Sequence, residues 1–175
     1  MGGPAAPVPP AARASLARRL AATVYESLIL GTLAVVLGFL LLPVLGLAEV
    51  PAATGRLALL TPAASATSFL ALFMLYGGYC VWLSSGGRRT LPMQTWHLAL
   101  RTADDRAPSP ARALGRYFAW WIGPICAIAA YMALRPFGQG RWALAALAIN
   151  YAWALVDPDR QFLHDRIAGT RLVRA

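Results

Sequence analysis

Leu20 to Ala48 reads L-A-A-T-V-Y-E-S-L-I-L-G-T-L-A-V-V-L-G-F-L-L-L-P-V-L-G-L-A, and Glu26 is its only charge. A helix rises about 1.5 Å per residue, so roughly 20 apolar residues cross the hydrocarbon of a bilayer. This run is long enough, and Pro43 and Gly46 mark its far end. Working outward, a second run from Leu57 to Gly87 carries no charge at all. Thr61-Pro62 suits a helix start, because proline belongs in the first turn. Gly77-Gly78 within this run permit a bend or a close helix contact. Two shorter uncharged runs follow, Tyr117 to Leu134 and Trp142 to Val156. They are joined by Arg135-Pro136-Phe137-Gly138-Gln139-Gly140-Arg141, a turn built on proline and glycine breakers.

The 175 residues are 58% apolar and only 13% charged, against about half and a quarter in a soluble domain. That balance excludes an ordinary soluble globule, a disordered chain and a fibrous repeat. The fold expected is an all-α membrane protein: a four-helix transmembrane bundle with spans near 20–46, 62–84, 114–134 and 141–156. Helices three and four are short, and either cross together as a tight hairpin or form a re-entrant one. Residues 1–14, rich in glycine, proline and alanine, read as a disordered tail. They do not resemble a signal peptide, so the first span is expected to stay uncleaved.

The net charge is +9, and all sixteen basic residues are arginine. With four spans, thirteen arginines fall on one side and three (Arg56, Arg135 and Arg141) on the other. The positive-inside rule makes the richer side cytoplasmic, with both termini inside. Anionic headgroups are the expected partner of these arginines, and nucleic acid is not. Tyr117, Trp120, Trp121, Trp142 and Trp153 either form interfacial belts or pack between helices. Cys80 and Cys126 lie inside apolar runs and read as buried structural thiols.

The polar segments also carry structure. In Leu91 to Arg101, Trp96, Leu98 and Leu100 alternate with Thr95, His97, Ala99 and Arg101, a period of two that predicts a strand. Thr170 to Val173 is strand-like too. An isolated strand would leave its backbone unpaired, so the two are predicted to pair, giving a small cytoplasmic β pairing. Asp104-Asp105-Arg106 forms a turn, and Ser109-Pro110 starts the third helix.

Glu26 lies seven residues after Arg19, two turns on the same helix face and about 10 Å along it. A charged carboxyl at a span centre costs on the order of 3 kcal/mol on insertion scales. Glu26 is therefore expected to face other helices, either as an ion or proton site or paired with Arg18, Arg19 or a C-terminal arginine. A second cluster, Asp157 to Arg166, crowds three aspartates, His164, Arg160 and Arg166 after the fourth span. Asp159 is expected to cap a short helix ended by Gly169. His164 beside Asp165 is placed to titrate near neutrality, within a solvated ion-pair network. No metal-ligand spacing, nucleotide fingerprint or nucleophile motif occurs, so neither a cofactor nor an enzyme is expected.

Three segments together resemble the RDD family of small bacterial membrane proteins. They are Arg18-Arg19-Leu20-Ala21-Ala22 running to the acid at position 26; Gly86-Gly87-Arg88-Arg89-Thr90-Leu91-Pro92-Met93-Gln94-Thr95-Trp96; and Arg160-Gln161-Phe162-Leu163-His164-Asp165-Arg166-Ile167-Ala168-Gly169-Thr170. The resemblance makes 15–175 one membrane domain in the bacterial inner membrane. It implies that the family's arginine is Arg19 or Arg18, that Glu26 replaces its first aspartate, and that Asp165 or Asp159 is its second. Gly87, Arg89, Thr90, Leu91 and Met93 carry the loop motif, with Arg89 and Pro92 departing from the common glutamine and glycine. Cation/proton exchange is suggested for some members. Two readings stay open: transport or ion coupling through a cluster of Arg19, Glu26 and Asp165, which calls for a homo-oligomer because four short spans enclose little pathway, and a non-transporting scaffold whose charges lock the helices while the arginine-rich loop docks lipid or an unknown protein.

Overall fold

A computed structural model describes residues 13–45 and 61–175. Gly46, Arg56 and the tail at 1–12 lie outside the described residues. Helix α1 runs Leu16–Leu45 and α2 runs Pro62–Ser84. Thr61 caps α2, its hydroxyl accepting the Ala64 N–H at 3.1 Å, with Pro62 in the first turn. Pro43 lies in the last turn of α1, and the helix ends two residues later at Leu45.

After α2 comes a short helix α3, Leu91–Thr95, and a strand β1, Leu98–Thr102. The expected strand from Leu91 is thus half helix. Thr90 accepts the Met93 N–H and Pro92 sits in the first turn, the same capping chemistry as Thr61-Pro62, and it overrides the alternation. Strand β2, Thr170–Arg174, pairs antiparallel with β1 as predicted, with Leu98 opposite Arg174 and Thr102 opposite Thr170. Arg13 bridges to Val173 on the other edge of β2, and the Ala14 N–H reaches the Leu172 carbonyl at 3.2 Å. Ala14, Ala22, Met93, Leu98, Leu100 and Leu172 close a small apolar core. The start of α1, the 85–109 segment and the C-terminus therefore share one end of the molecule.

Helix α4, Pro110–Trp120, starts at a Ser109 cap that accepts the Arg112 N–H. It is followed by α5, Ile122–Leu134, after a break at Trp121. Pro124 causes the break: it lacks the N–H that would bond Trp120 four residues back, and its ring crowds that carbonyl. The freed Trp120 carbonyl is taken by the Asn150 amide at 2.7 Å. After a turn at Gly138, whose φ of +70° suits glycine, the chain folds back along α5. Gly123 and Gly140 permit the approach. A Cβ on Gly123 would lie 3.0 Å from the Leu147 carbonyl, and one on Gly140 would lie 2.9 Å from the Tyr131 ring.

Among the described residues, three helical stretches are long and apolar enough to cross a membrane: Leu16–Val44, Pro62–Ser84 and Pro110–Phe137. The fourth expected span is not a regular α-helix. Gly140–Ala148 and Trp153–Leu155 are 3₁₀ and only Ile149–Ala152, α6, is α-helical. A 3₁₀ helix rises about 2.0 Å per residue, so this 16-residue stretch is about 30 Å long, against about 24 Å for an α-helix of the same length. It ends beside the start of α1, so the chain returns to the end from which α4 departs.

Interhelical contacts are polar as well as apolar. The Tyr76 hydroxyl donates to the Leu30 carbonyl and the Tyr117 hydroxyl to the Phe73 carbonyl, both at 2.7 Å. Gly77 makes room for the Tyr117 ring, 3.1 Å from where a Cβ would stand, whereas Gly78 faces open space. Tyr117 and Trp121 pack with Phe69 and Phe73 between helices, while Trp142 and Trp153 are exposed. Cys80 and Cys126, expected to be buried, are only half-buried and are both free.

Candidate functional site

Glu26 faces inward from α1 onto a cavity of about 90 Å³ between α1, α2, α4 and the Thr90 turn. Its Oε2 accepts the Thr90 hydroxyl at 2.8 Å, and its Oε1 is buried with no partner among the described residues. The expected ion pair with Arg18, Arg19 or a C-terminal arginine does not form: no ion pair among the described residues involves Glu26. Arg19 is engaged elsewhere. Its guanidinium donates to the Arg160 carbonyl and lies 5.0 Å over the Phe162 ring. Arg19 is buried and Arg18 half-buried. Thr90 serves two groups, capping α3 through its lone pair and binding Glu26 through its proton. Met93 lines the same cavity, whereas Gly87, Arg89 and Leu91 are exposed.

Arg116 on α4 supplies what the sequence did not single out. Its Nε donates to Asp165 Oδ1 at 2.6 Å, and a second nitrogen lies 3.3 Å from His164 Nε2. Arg116 and His164 both line the Glu26 cavity, with Asp165 behind them. Arginine counts alone gave Arg116 no distinction from its neighbours. Only the place of α7, Leu163–Ile167, against α4 reveals the pair.

The Asp157–Arg166 cluster divides in two. Asp159 is half-buried and bridges Arg13 at 2.6 Å and Arg166 at 2.9 Å, and the hydrogen bond from Arg13 holds its carboxyl below the ordinary range. It does not cap α7, whose N-cap is Phe162 without a side-chain bond. Asp157 instead binds the turn, its Oδ2 accepting the N–H groups of Asp159 and Gln161. Gly169 does end α7, with φ +61°. His164 and Asp165 are buried, contrary to a solvated network. Burial pushes His164 down to about 4, with Asp165 opposing and Arg116 adding to the shift, so it is neutral near pH 7 rather than poised there. Burial pushes the Asp165 carboxyl up, but Arg116, His164 and Arg19 together outweigh it and hold the group below the carboxylate range.

Residues 13–169 match the model of the RDD family. The chain belongs to the RDD family. No curated protein and no solved structure is similar enough to match. Family membership and three apolar helices make this RDD protein a membrane protein. Of the residues expected to carry the family's charges, Arg19 and Asp165 are buried while Arg18 and Asp159 are not. The Pro92 departure is accommodated by the first turn of α3, and the Arg89 side chain points away from the cavity lining, offering only its carbonyl to Gln94. Among the described residues no three His, Cys, Asp or Glu side chains gather to hold a metal ion.

Proposed function

We propose that this RDD protein is a non-enzymatic, multi-pass protein of the bacterial inner membrane that couples a monovalent cation to a proton at Glu26. One observation carries the reading: an intramembrane carboxylate faces a cavity large enough for several waters, bound to one hydroxyl and with no cationic partner among the described residues. A carboxylate at that depth, on the order of 3 kcal/mol unfavourable at a span centre, calls for a proton or a cation in its place. The Thr90 oxygen and Glu26 are hard oxygen ligands suited to an alkali ion. Thirteen of sixteen arginines fall at the end that carries the sheet, which supports both termini being cytoplasmic and the 140–155 stretch being the fourth crossing.

Arg19 and Asp165, expected to join Glu26 in one exchanging cluster, are held by Arg160, Phe162 and Arg116. These contacts favour a second reading for those residues, a lock on the bundle, and narrow the transport chemistry to Glu26. The two readings separate in liposomes holding purified protein, with lumenal pH followed after Na⁺ or K⁺ gradients are imposed. Cation-dependent proton movement lost in folded Glu26→Gln and reduced in Thr90→Val is expected. Wild-type flux no greater than in empty liposomes, from folded and inserted protein, leaves the scaffold reading.

A further inference from the structure

A second cavity, of about 370 Å³, lies where the start of α1, the Asp157–Gln161 turn and β2 meet. Its lining charges are unbalanced: Arg13, Arg19, Arg160 and Arg171 against Asp159 alone. Asp159 is already shared between Arg13 and Arg166. Arg19 is only 5% exposed, and its Nε meets no acceptor among the described residues. Arg171 Nε is buried and unpartnered in the same way, although its Nη2 reaches Asp105 at 3.5 Å. Arg171 also stands directly opposite Arg101 across the two strands, where like charges repel. Ser15 and Leu16 bring the first turn of α1 to the cavity, and no acidic residue there offsets the positive end of the helix.

We propose that this cavity binds a phosphate group. Guanidinium forks match phosphate oxygens in a bidentate way, and helix N-terminal N–H groups add donors of the same sign. A phosphate here offsets the excess of arginine charge around the cavity and relieves the Arg101–Arg171 repulsion. Leu20, one turn further along α1, is exposed and apolar, so a phospholipid can enter with its chains along the helix. A soluble phosphate ester carries the same recognition chemistry. Glu26 does not line this cavity, so the site stands or falls apart from the transport reading.

The test is thermal unfolding of the full chain in a non-ionic detergent, titrated with inorganic phosphate or with dihexanoyl phosphatidic acid, against chloride at matched ionic strength. At least one phosphate probe is expected to stabilise the wild type. Arg13→Gln/Arg171→Gln should weaken its apparent affinity about tenfold or more, the size of one or two lost charge-assisted bonds. Arg106→Gln/Arg174→Gln, of equal net charge but outside the cavity, should bind as the wild type does. If the first double variant fails to fold, Arg160→Asn removes another cation at an exposed position whose φ of 50° suits asparagine. A response to phosphatidic acid alone assigns a lipid headgroup, and an equal response to inorganic phosphate assigns a soluble group. No response to either probe, or equal weakening in variant and control, overturns the site.

Discussion

Replacing Asp165 with asparagine tests whether the Arg116–Asp165 pair holds α7 and the C-terminal strand to α4. The carboxylate is 1% exposed and its Oδ1 lies 2.6 Å from Arg116 Nε, while the Arg116 side chain is 18% exposed. Removing one partner of a buried pair costs about 3–5 kcal/mol, because the other charge stays buried and uncompensated. Partial access of Arg116 to water puts the expected loss near the lower end, about 3 kcal/mol. In a chain of this size 1 kcal/mol shifts the melting temperature by about 2–4 °C, so Asp165→Asn should melt roughly 6–12 °C below wild type. The assay is intrinsic tryptophan fluorescence during heating of the detergent-solubilised protein at pH 7. Arg116→Gln should lose a similar amount. The double variant should lose much less than the two single losses together, because neither charge is then left alone. Asp165→Asn melting within about 1 °C of wild type, or strictly additive losses in the double variant, refutes the reasoning.

Further outcomes follow from the burial of His164 and Asp165 and from the close approach at Gly123. His164 has a folded value of about 4 against about 6.5 unfolded, so the unfolded chain binds the extra proton between those values. Stability is then full above about pH 6.5 and falls by about 3 kcal/mol on going down to pH 4, a loss that urea titrations across this range should show in wild type and not in His164→Asn. Asp165, whose value is lowered, adds its own loss only below about pH 4, as it becomes protonated. Gly123→Ala should destabilise by about 1–3 kcal/mol, because the Leu147 carbonyl stands 3.0 Å from the added carbon. Gly31→Ala, with nothing within 4 Å, should melt no lower than wild type, and equal melting of the two variants removes the close-approach account of the hairpin.

Local rules read well along this chain. Thr61-Pro62 and Ser109-Pro110 start helices because a hydroxyl and a fixed φ act within three residues. Thr90 does the same at Leu91–Thr95, where its cap overrides the apolar alternation that predicts a strand. Pro124 breaks the third helix, a local effect with a long-range consequence. The break it makes matters because Asn150, from the returning chain, satisfies the carbonyl it frees. The last run was expected to be a helix because its composition is apolar, and composition does not tell an α turn from a 3₁₀ turn.

By itself the sequence determined the solvent and the family: the apolar runs are long enough for lipid and residues 13–169 match the RDD model. Only the tertiary structure decided which charges meet. Glu26 finds Thr90 from 64 residues away, and Arg116 finds Asp165 from 49. His164 is neutral because α4 and its own neighbours bury it, not because of its position beside Asp165. Ion pairing and protonation depend on distance and on access to water, and those are properties of how helices pack rather than of any single segment.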